Sequence, residues 1–193
     1  MEHKGTVPLE TPRLILRPHT PEDVEPAFRN WTGDDRVTEF LTWPTARSLE
    51  EAAPFILHTS AQYHNPEFYV WAIVPKNLME PIGTISCVSM DEATGKIHIG
   101  YCIGSKWWRR GYMTEAFSRV ISFFFEEVKA QRIEALHDVE NPNSGAVMKK
   151  CGLTYEGTMR QSHRNNRGIV DVSMYAILAE DYFKKHTRTG TTA

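Results

Sequence analysis

The spacing of apolar and polar positions changes period several times along the chain and lays out its elements. Residues 96–103, Lys-Ile-His-Ile-Gly-Tyr-Cys-Ile, alternate and are rich in branched and aromatic side chains, the pattern of a strand with two unlike faces. Over residues 114–128 the period lengthens. Phe117, Val120, Ile121, Phe124, Phe125 and Val128 recur at three- and four-residue spacing, which predicts an amphipathic helix. Upstream, residues 13–17 read as a first strand closed by Pro18. Thr20-Pro21-Glu22-Asp23 then opens a helix, with a capping hydroxyl, an early proline and acidic residues matched to the helix dipole. Val24, Phe28 and Trp31 would be its buried stripe. Residues 34–41 add a short helical piece, and Ser48-Leu49-Glu50-Glu51 caps another helix running towards Tyr63, with Pro54 perturbing its first turns.

Residues 68–74 and 81–90 are strand-like, and a turn at 91–95 leads into the strand carrying His98. Connections this short make the three antiparallel neighbours. A strand over 132–139, reached through a helix, is a candidate for parallel pairing. A short helix at 144–150 and strands near 153–160 and 169–176 follow. The sum is an α+β fold, a mixed and mostly antiparallel central sheet flanked by helices. No repeat, linker or low-complexity stretch divides the chain, so residues 1–193 read as one domain with a core of about 9–183. Residues 184–193 are polar and aperiodic, the pattern of a frayed tail.

Composition narrows the function classes. A chain of 193 residues with 41% hydrophobic and 24% charged residues is ordinary for a soluble domain. A net charge of -2 argues against a nucleic-acid-coating surface. Cys87, Cys102 and Cys151 lie far apart, giving neither a disulfide framework nor a zinc site. Residues 1–6 lack the apolar core of a signal peptide, and Phe123-Phe124-Phe125 is too short to span a bilayer. The expectation is a cytoplasmic protein with reduced thiols, no bound metal and no membrane or nucleic-acid partner.

The chemistry concentrates where strand gives way to helix, at Lys106-Trp107-Trp108-Arg109-Arg110-Gly111-Tyr112-Met113-Thr114-Glu115. A helix start presents free N–H groups and a dipole that favours anions, and the basic residues add charge complementary to phosphate. That combination suits a pyrophosphate. Glu115, in the first turn, complements the dipole.

About thirty residues later comes Val139-Glu140-Asn141-Pro142-Asn143-Ser144-Gly145, followed after a short helix by Cys151-Gly152-Leu153. This order of loop, Asn-x-x-Ser turn, helix and Gly-apolar exit resembles the acetyl-CoA-dependent N-acetyltransferases of the GNAT superfamily. The opening Leu9-Glu10-Thr11-Pro12-Arg13-Leu14-Ile15-Leu16-Arg17-Pro18 resembles that of the subgroup containing the Rim-type ribosomal-protein N-terminal acetyltransferases. The similarity runs over roughly residues 9–183. It implies a fold whose central strands splay apart to admit acetyl-CoA. It also implies transfer of the acetyl group to a primary amine, either a protein N-terminus or a small molecule, by direct attack on the thioester.

The family's phosphate loop reads Gln/Arg-x-x-Gly-x-Gly/Ala. Here Lys106 takes the first position, Arg109 replaces the first glycine and Gly111 keeps the second. An arginine restricts backbone angles that a glycine leaves free. By this resemblance Arg109 and the amides of Arg110, Gly111, Tyr112, Met113 and Thr114 face the pyrophosphate. Cys102, Ile103, Asn141, Asn143 and Ser144 complete the cofactor-binding set. Ser144 stands where the Rim-type subgroup carries a serine acting on the departing CoA thiolate, although Asn-Pro-Asn-Ser is equally a good turn and helix cap. Met148 occupies the position at which other members carry a tyrosine.

His98 stands where many relatives place a glutamate. Its ordinary pKa of about 6.5 suits removal of the amine proton, directly or through water, and a histidine hydrogen-bonded within a covered sheet is the other reading. His137 and Asp138 form a second candidate pair, but neighbouring strand residues face opposite sides. Trp31, Phe40, Trp43 and Tyr63 fit either an acceptor pocket or the core, and residues 162–168 fit either its rim or a plain hairpin loop. A monomer or homodimer is expected. A non-catalytic acyl-CoA-binding module would keep the loop without needing His98 or Ser144, and a nucleotide-binding protein would need phosphate motifs that this chain lacks.

Overall fold

The computed structural model describes residues 1–189. Its centre is an eight-stranded sheet: β1 (Leu9–Glu10), β2 (Leu14–Arg17), β3 (Val70–Pro75), β4 (Gly83–Asp91), β5 (Lys96–Ile103), β6 (Arg132–Asp138), β7 (Thr154–Asn165) and β8 (Gly168–Leu178). The spatial order is β1-β2-β3-β4-β5-β6-β8-β7, and every pair is antiparallel except β5 with β6. The helix between those two strands makes parallel pairing possible, because a tight turn can join only antiparallel neighbours.

The β5–β6 pairing is short. It runs only through Lys96↔Arg132, Ile97↔Ile133 and His98↔Glu134, whereas β4 follows β5 up to Ile103. Beyond His98 the two strands part and leave a gap in the middle of the sheet.

The helices are α1 (Val24–Ala27), α2 (Asp35–Thr38), α3 (Leu49–Gln62), α4 (Tyr112–Glu126), α5 (Pro142–Lys150) and α6 (Ala179–Thr189). Helix α4 buries Phe117, Val120, Phe123 and Phe124 in a core that also takes Leu14, Trp71, Ile97 and Ile99 from the sheet. Each such side chain contributes about 1.5–3 kcal/mol by leaving water. A smaller cluster, Ala27, Trp31, Val37, Ile56 and Cys102, packs separately. Residues on opposite faces of β5 serve different clusters, Ile99 the first and Cys102 the second.

Several expectations change in detail. The first helix is a 3-10 turn at Pro21–Asp23, then α1, then a π segment at Phe28–Thr32. That change of pitch rotates the buried face, so Ala27, Asn30 and Trp31 are buried while Phe28 is only partly covered. Pro54 lies inside α3 without ending it. The last helix runs through residues 184–189, where the polar, aperiodic sequence predicts a frayed tail; buried Tyr182 bonds Ser122 and Glu126 and anchors it. Residues 190–193 of that expected tail lie outside the described residues.

Candidate active site

The gap between β5 and β6 opens into a cleft of about 400 Å³. Four segments line it: the end of β5, the loop leading into α4 with the first turn of that helix, α5, and residues 36–41. Cys102, Ile103, Arg109, Gly111, Tyr112, Met113, Thr114, Asn141, Asn143 and Ser144 all line it. Arg110 does not, and neither does His98.

The loop has a distinctive backbone. Gly111 is the N-cap of α4 with φ +80°, and Arg109 sits at φ +60°. The arginine has therefore adopted the left-handed conformation that a glycine would take without cost, at about 1–2 kcal/mol for an L-residue. Left-handed residues alternating in a turn curl successive N–H groups into a concavity suited to anions. The first intrahelical bond of α4 runs from Glu115 N–H to the Gly111 carbonyl at 3.0 Å, so the N–H groups preceding it have no partner within the helix. Gly111 offers no capping side chain to occupy them. Lys106, the first position of the loop pattern, instead lies 6.0 Å over the Trp107 ring and does not line the cleft.

On the opposite wall, Asn141 caps α5 by accepting from Ser144 N–H at 3.4 Å. Close seating of α5 on β6 requires Gly145, because a Cβ there would lie 2.5 Å from His137 Nε2. His137 is thus buried under α5, its Nδ1 2.8 Å from the Asp138 carbonyl. The Asp138 carboxylate points elsewhere, to Asn165 at 2.8 Å and Arg167 at 3.3 Å. The two residues share no side-chain contact, as strand alternation requires.

Ser144 has a partner that sequence reasoning missed. The Tyr101 hydroxyl donates to the Ser144 carbonyl at 3.0 Å and lies 3.1 Å from Ser144 Oγ. Burial pushes the Tyr101 phenol well above its usual range and keeps it protonated. The signal available in the sequence was a tyrosine, Tyr101, near the end of the strand that leads into the loop.

His98 sits at the last paired position before the strands separate. Alternation puts it on the face opposite Ile97 and Ile99, and its Nδ1 is 3.4 Å from Glu134 Oε1. Burial lowers its pKa below the ordinary histidine value, with Glu134 acting in the other direction. The imidazole is therefore neutral at pH 7 and able to accept a proton. Glu134 is itself held low: burial opposes this, but hydrogen bonds from Arg132 and His98 prevail.

At the far end of the cleft, Val37, Glu39, Phe40 and Leu41 line the wall. The tip of the β7–β8 hairpin straps this segment. Asn166 donates its side-chain amide to the carbonyls of Thr38 at 2.8 Å and Trp43 at 2.7 Å, and its N–H to that of Leu41 at 3.0 Å. The hairpin residues are thus tied down rather than looping free. Of the four aromatic residues that fitted an acceptor pocket or the core, Phe40 lines the cleft, while Trp31 is core and Trp43 packs beside it. Tyr63 accepts from His19 N–H and donates to the Val70 carbonyl.

The three cysteines are free, and burial raises the thiol pKa of Cys87 and Cys102 to about 12 and of Cys151 to about 11. None is a ready nucleophile at neutral pH. Among the described residues no group of three metal-ligating side chains comes together, and no helix is long and apolar enough to cross a membrane.

Comparison with known proteins fits this architecture. The chain is 32% identical over 170 residues to the uncharacterised N-acetyltransferase YoaA of Bacillus subtilis, covering 88% of this chain and 96% of that protein. It is 24% identical over 140 residues to the ribosomal-protein-serine acetyltransferase of Escherichia coli, covering 72% and 78%. Among solved structures, an acetyltransferase of the GNAT family from Bacillus anthracis shares the fold with a TM-score of 0.79 at 24% identity, covering 90% of this chain and 99% of that one. The family profile described as acetyltransferase (GNAT) domain matches residues 13–154. With that match spanning most of its length, the chain belongs to the GNAT acetyltransferase family.

Proposed function

We propose that this acetyltransferase moves the acetyl group of acetyl-CoA to a primary amine, a protein N-terminus or a small molecule, by direct attack on the thioester. The observation that carries this reading is the cleft itself. It joins a helix start whose first N–H groups have no partner within the helix to a gap in the sheet where the edge of β5 beyond His98 has no β6 partner.

The residues present fit the cosubstrate. Arg109 and the amides that follow it suit the pyrophosphate. Backbone groups of β5 left unpaired by the splay suit the amide-containing pantetheine arm, much as a missing strand would be replaced. Ser144, oriented by Tyr101, supplies a hydrogen bond to the sulfur as the C–S bond breaks and charge develops there. A neutral hydroxyl is too weak an acid to be more than a donor, and Tyr101, 3.1 Å from Ser144 Oγ, holds the residue at the cleft wall.

His98 is the proposed base. Its place outside the cleft lining and its tether to Glu134 favour proton transfer through water rather than direct contact with the amine. The Rim-type relatives make a protein N-terminus one acceptor class to test. Free thiols fit a reducing, cytoplasmic setting.

The test is thermal unfolding with acetyl-CoA, with NADH and ATP as controls, followed by thiol release across a panel of peptide and small-molecule amines. A dose-dependent rise in Tm with acetyl-CoA alone, and thiol release with some amine, is the expected result. Binding without transfer to any amine would leave a cofactor-binding module. No rise at millimolar acetyl-CoA would overturn the reading.

A further inference from the structure

The opening segment Thr11-Pro12-Arg13-Leu14 forms the turn between β1 and β2, far in sequence from the anion loop yet bonded to it. Thr11 N–H donates to the Leu14 carbonyl at 3.0 Å, and Thr11 Oγ1 accepts from Leu14 N–H at 2.9 Å. The same hydroxyl donates to Glu115 Oε1 at 2.6 Å. Glu115 also accepts from Arg13 N–H at 2.9 Å and from Arg13 Nε at 2.6 Å. Its carboxylate is therefore not simply facing the helix dipole, as its place in the first turn suggested. It is partly buried and held by three donors of one turn. Burial alone would raise its pKa, but the bonds from Thr11 and Arg13 hold it below the ordinary carboxylate value.

Arg13 carries the contact one step further. Its Nη1 donates to the Arg110 carbonyl at 3.0 Å, and its guanidinium lies 4.6 Å over the Tyr112 ring. The Arg110 carbonyl belongs to the peptide between residues 110 and 111, flanked by the left-handed Arg109 and Gly111. A trans peptide points its N–H opposite to its C=O. With the oxygen fixed on the Arg13 side, the Gly111 N–H must point the other way. Were this peptide to flip, it would present an oxygen where an anion needs a donor. A glycine leaves that flip open, because both backbone conformations cost it little.

We propose that Thr11, Arg13 and Glu115 are positioning residues that hold the 110–111 peptide in its anion-binding orientation, acting through the loop and without touching the substrate. This inference rests on the acetyl-CoA reading of the cleft. It assigns the opening motif of the chain a part in cosubstrate recognition in addition to its place at the sheet edge.

The experiment compares binding of acetyl-CoA and of S-acetylpantetheine, which lacks the phosphates, by calorimetry. Wild type should prefer acetyl-CoA by at least about tenfold, the equivalent of about 1.4 kcal/mol. Glu115→Gln keeps the shape but releases the Arg13 cation, and should raise the Kd for acetyl-CoA about tenfold while leaving that for S-acetylpantetheine unchanged. Arg13→Gln should do the same, and because Arg13 is half exposed it leaves the core intact if Glu115→Gln lowers stability. Variants that fold and keep the full preference overturn the clamp. A wild type without any preference overturns the phosphate reading itself, which separates the two failures. Equal weakening towards both ligands would mark a general structural role and also overturn the proposal.

Discussion

Tyr101 Oη lies 3.1 Å from Ser144 Oγ and donates to the Ser144 carbonyl, joining the strand on one side of the cleft to the helix on the other. Two hydroxyls thus meet where β5 and β6 have parted. The pair is kept neutral by burial of the phenol, so it offers donors rather than charge.

This pair should act in the chemical step. Ser144→Ala and Tyr101→Phe should each lower kcat about 10- to 100-fold, with the KM for acetyl-CoA changed less than about threefold. Steady-state kinetics with the best amine found in the screen provides the check. Unchanged kcat in both variants would mean that the thiolate departs without their help.

Arg109 carries backbone strain in exchange for charge. Arg109→Gly should relieve the left-handed strain while adding unfolded-chain entropy, so stability should stay within about 1 kcal/mol of wild type. Affinity for acetyl-CoA should fall about fivefold with the lost charge. A variant that binds as tightly as wild type would show that backbone shape alone holds the phosphates.

His98 should leave its mark on the pH profile. Its lowered pKa predicts that kcat/KM rises with pH through a limb lying below 6.5 and is level at neutrality. His98→Ala should lose that limb and about 100-fold in kcat/KM. Glu134→Gln removes an influence that raises the His98 pKa, so the limb should move to lower pH. A full-activity His98→Ala enzyme with an unaltered profile would remove His98 as the base.

Stability should fall on mild acidification for a separate reason. His19 is buried, with Nδ1 3.4 Å from Asp23 Oδ2, and burial pushes its pKa below 6.5. Below pH 6.5 the unfolded chain takes up a proton that folded His19 resists, so folding stability declines from there towards the folded pKa. Asp23 behaves in the opposite sense. Burial opposes its ionisation, but the bonds from Arg17 and the nearby His19 hold it well below 3.8, so its contribution is complete above pH 3.8 and is lost only in stronger acid. Tm measured from pH 7.5 to 5 should therefore drop, and His19→Gln should flatten the drop, leaving the part due to His98. An identical slope in wild type and variant would refute the assignment to His19.

Much of this protein was legible in its sequence because the signals were local. Phe117, Val120 and Phe124 announce a buried helix face through their spacing alone, and 96–103 announces a strand through alternation. Short connections forced antiparallel order on β3, β4 and β5, while an intervening helix permitted the parallel β5–β6 pair. Gly111 at a strand-to-helix switch, followed by Asn141 and Ser144 at the next one, located two of the segments that line the cleft, but not Val37, Glu39 and Leu41 or Tyr101.

What the sequence could not decide were contacts between residues far apart in the chain. Nothing local tells Glu115 to bond Thr11 and Arg13, a hundred residues earlier, rather than face its own helix dipole. Nor does anything near Ser144 identify Tyr101 as its partner. The point at which β5 leaves β6 was likewise invisible, because pairing depends on two strands at once. Periodicity fixes which face of an element is buried, whereas the partner across that face is chosen only when the whole sheet and its helices pack together.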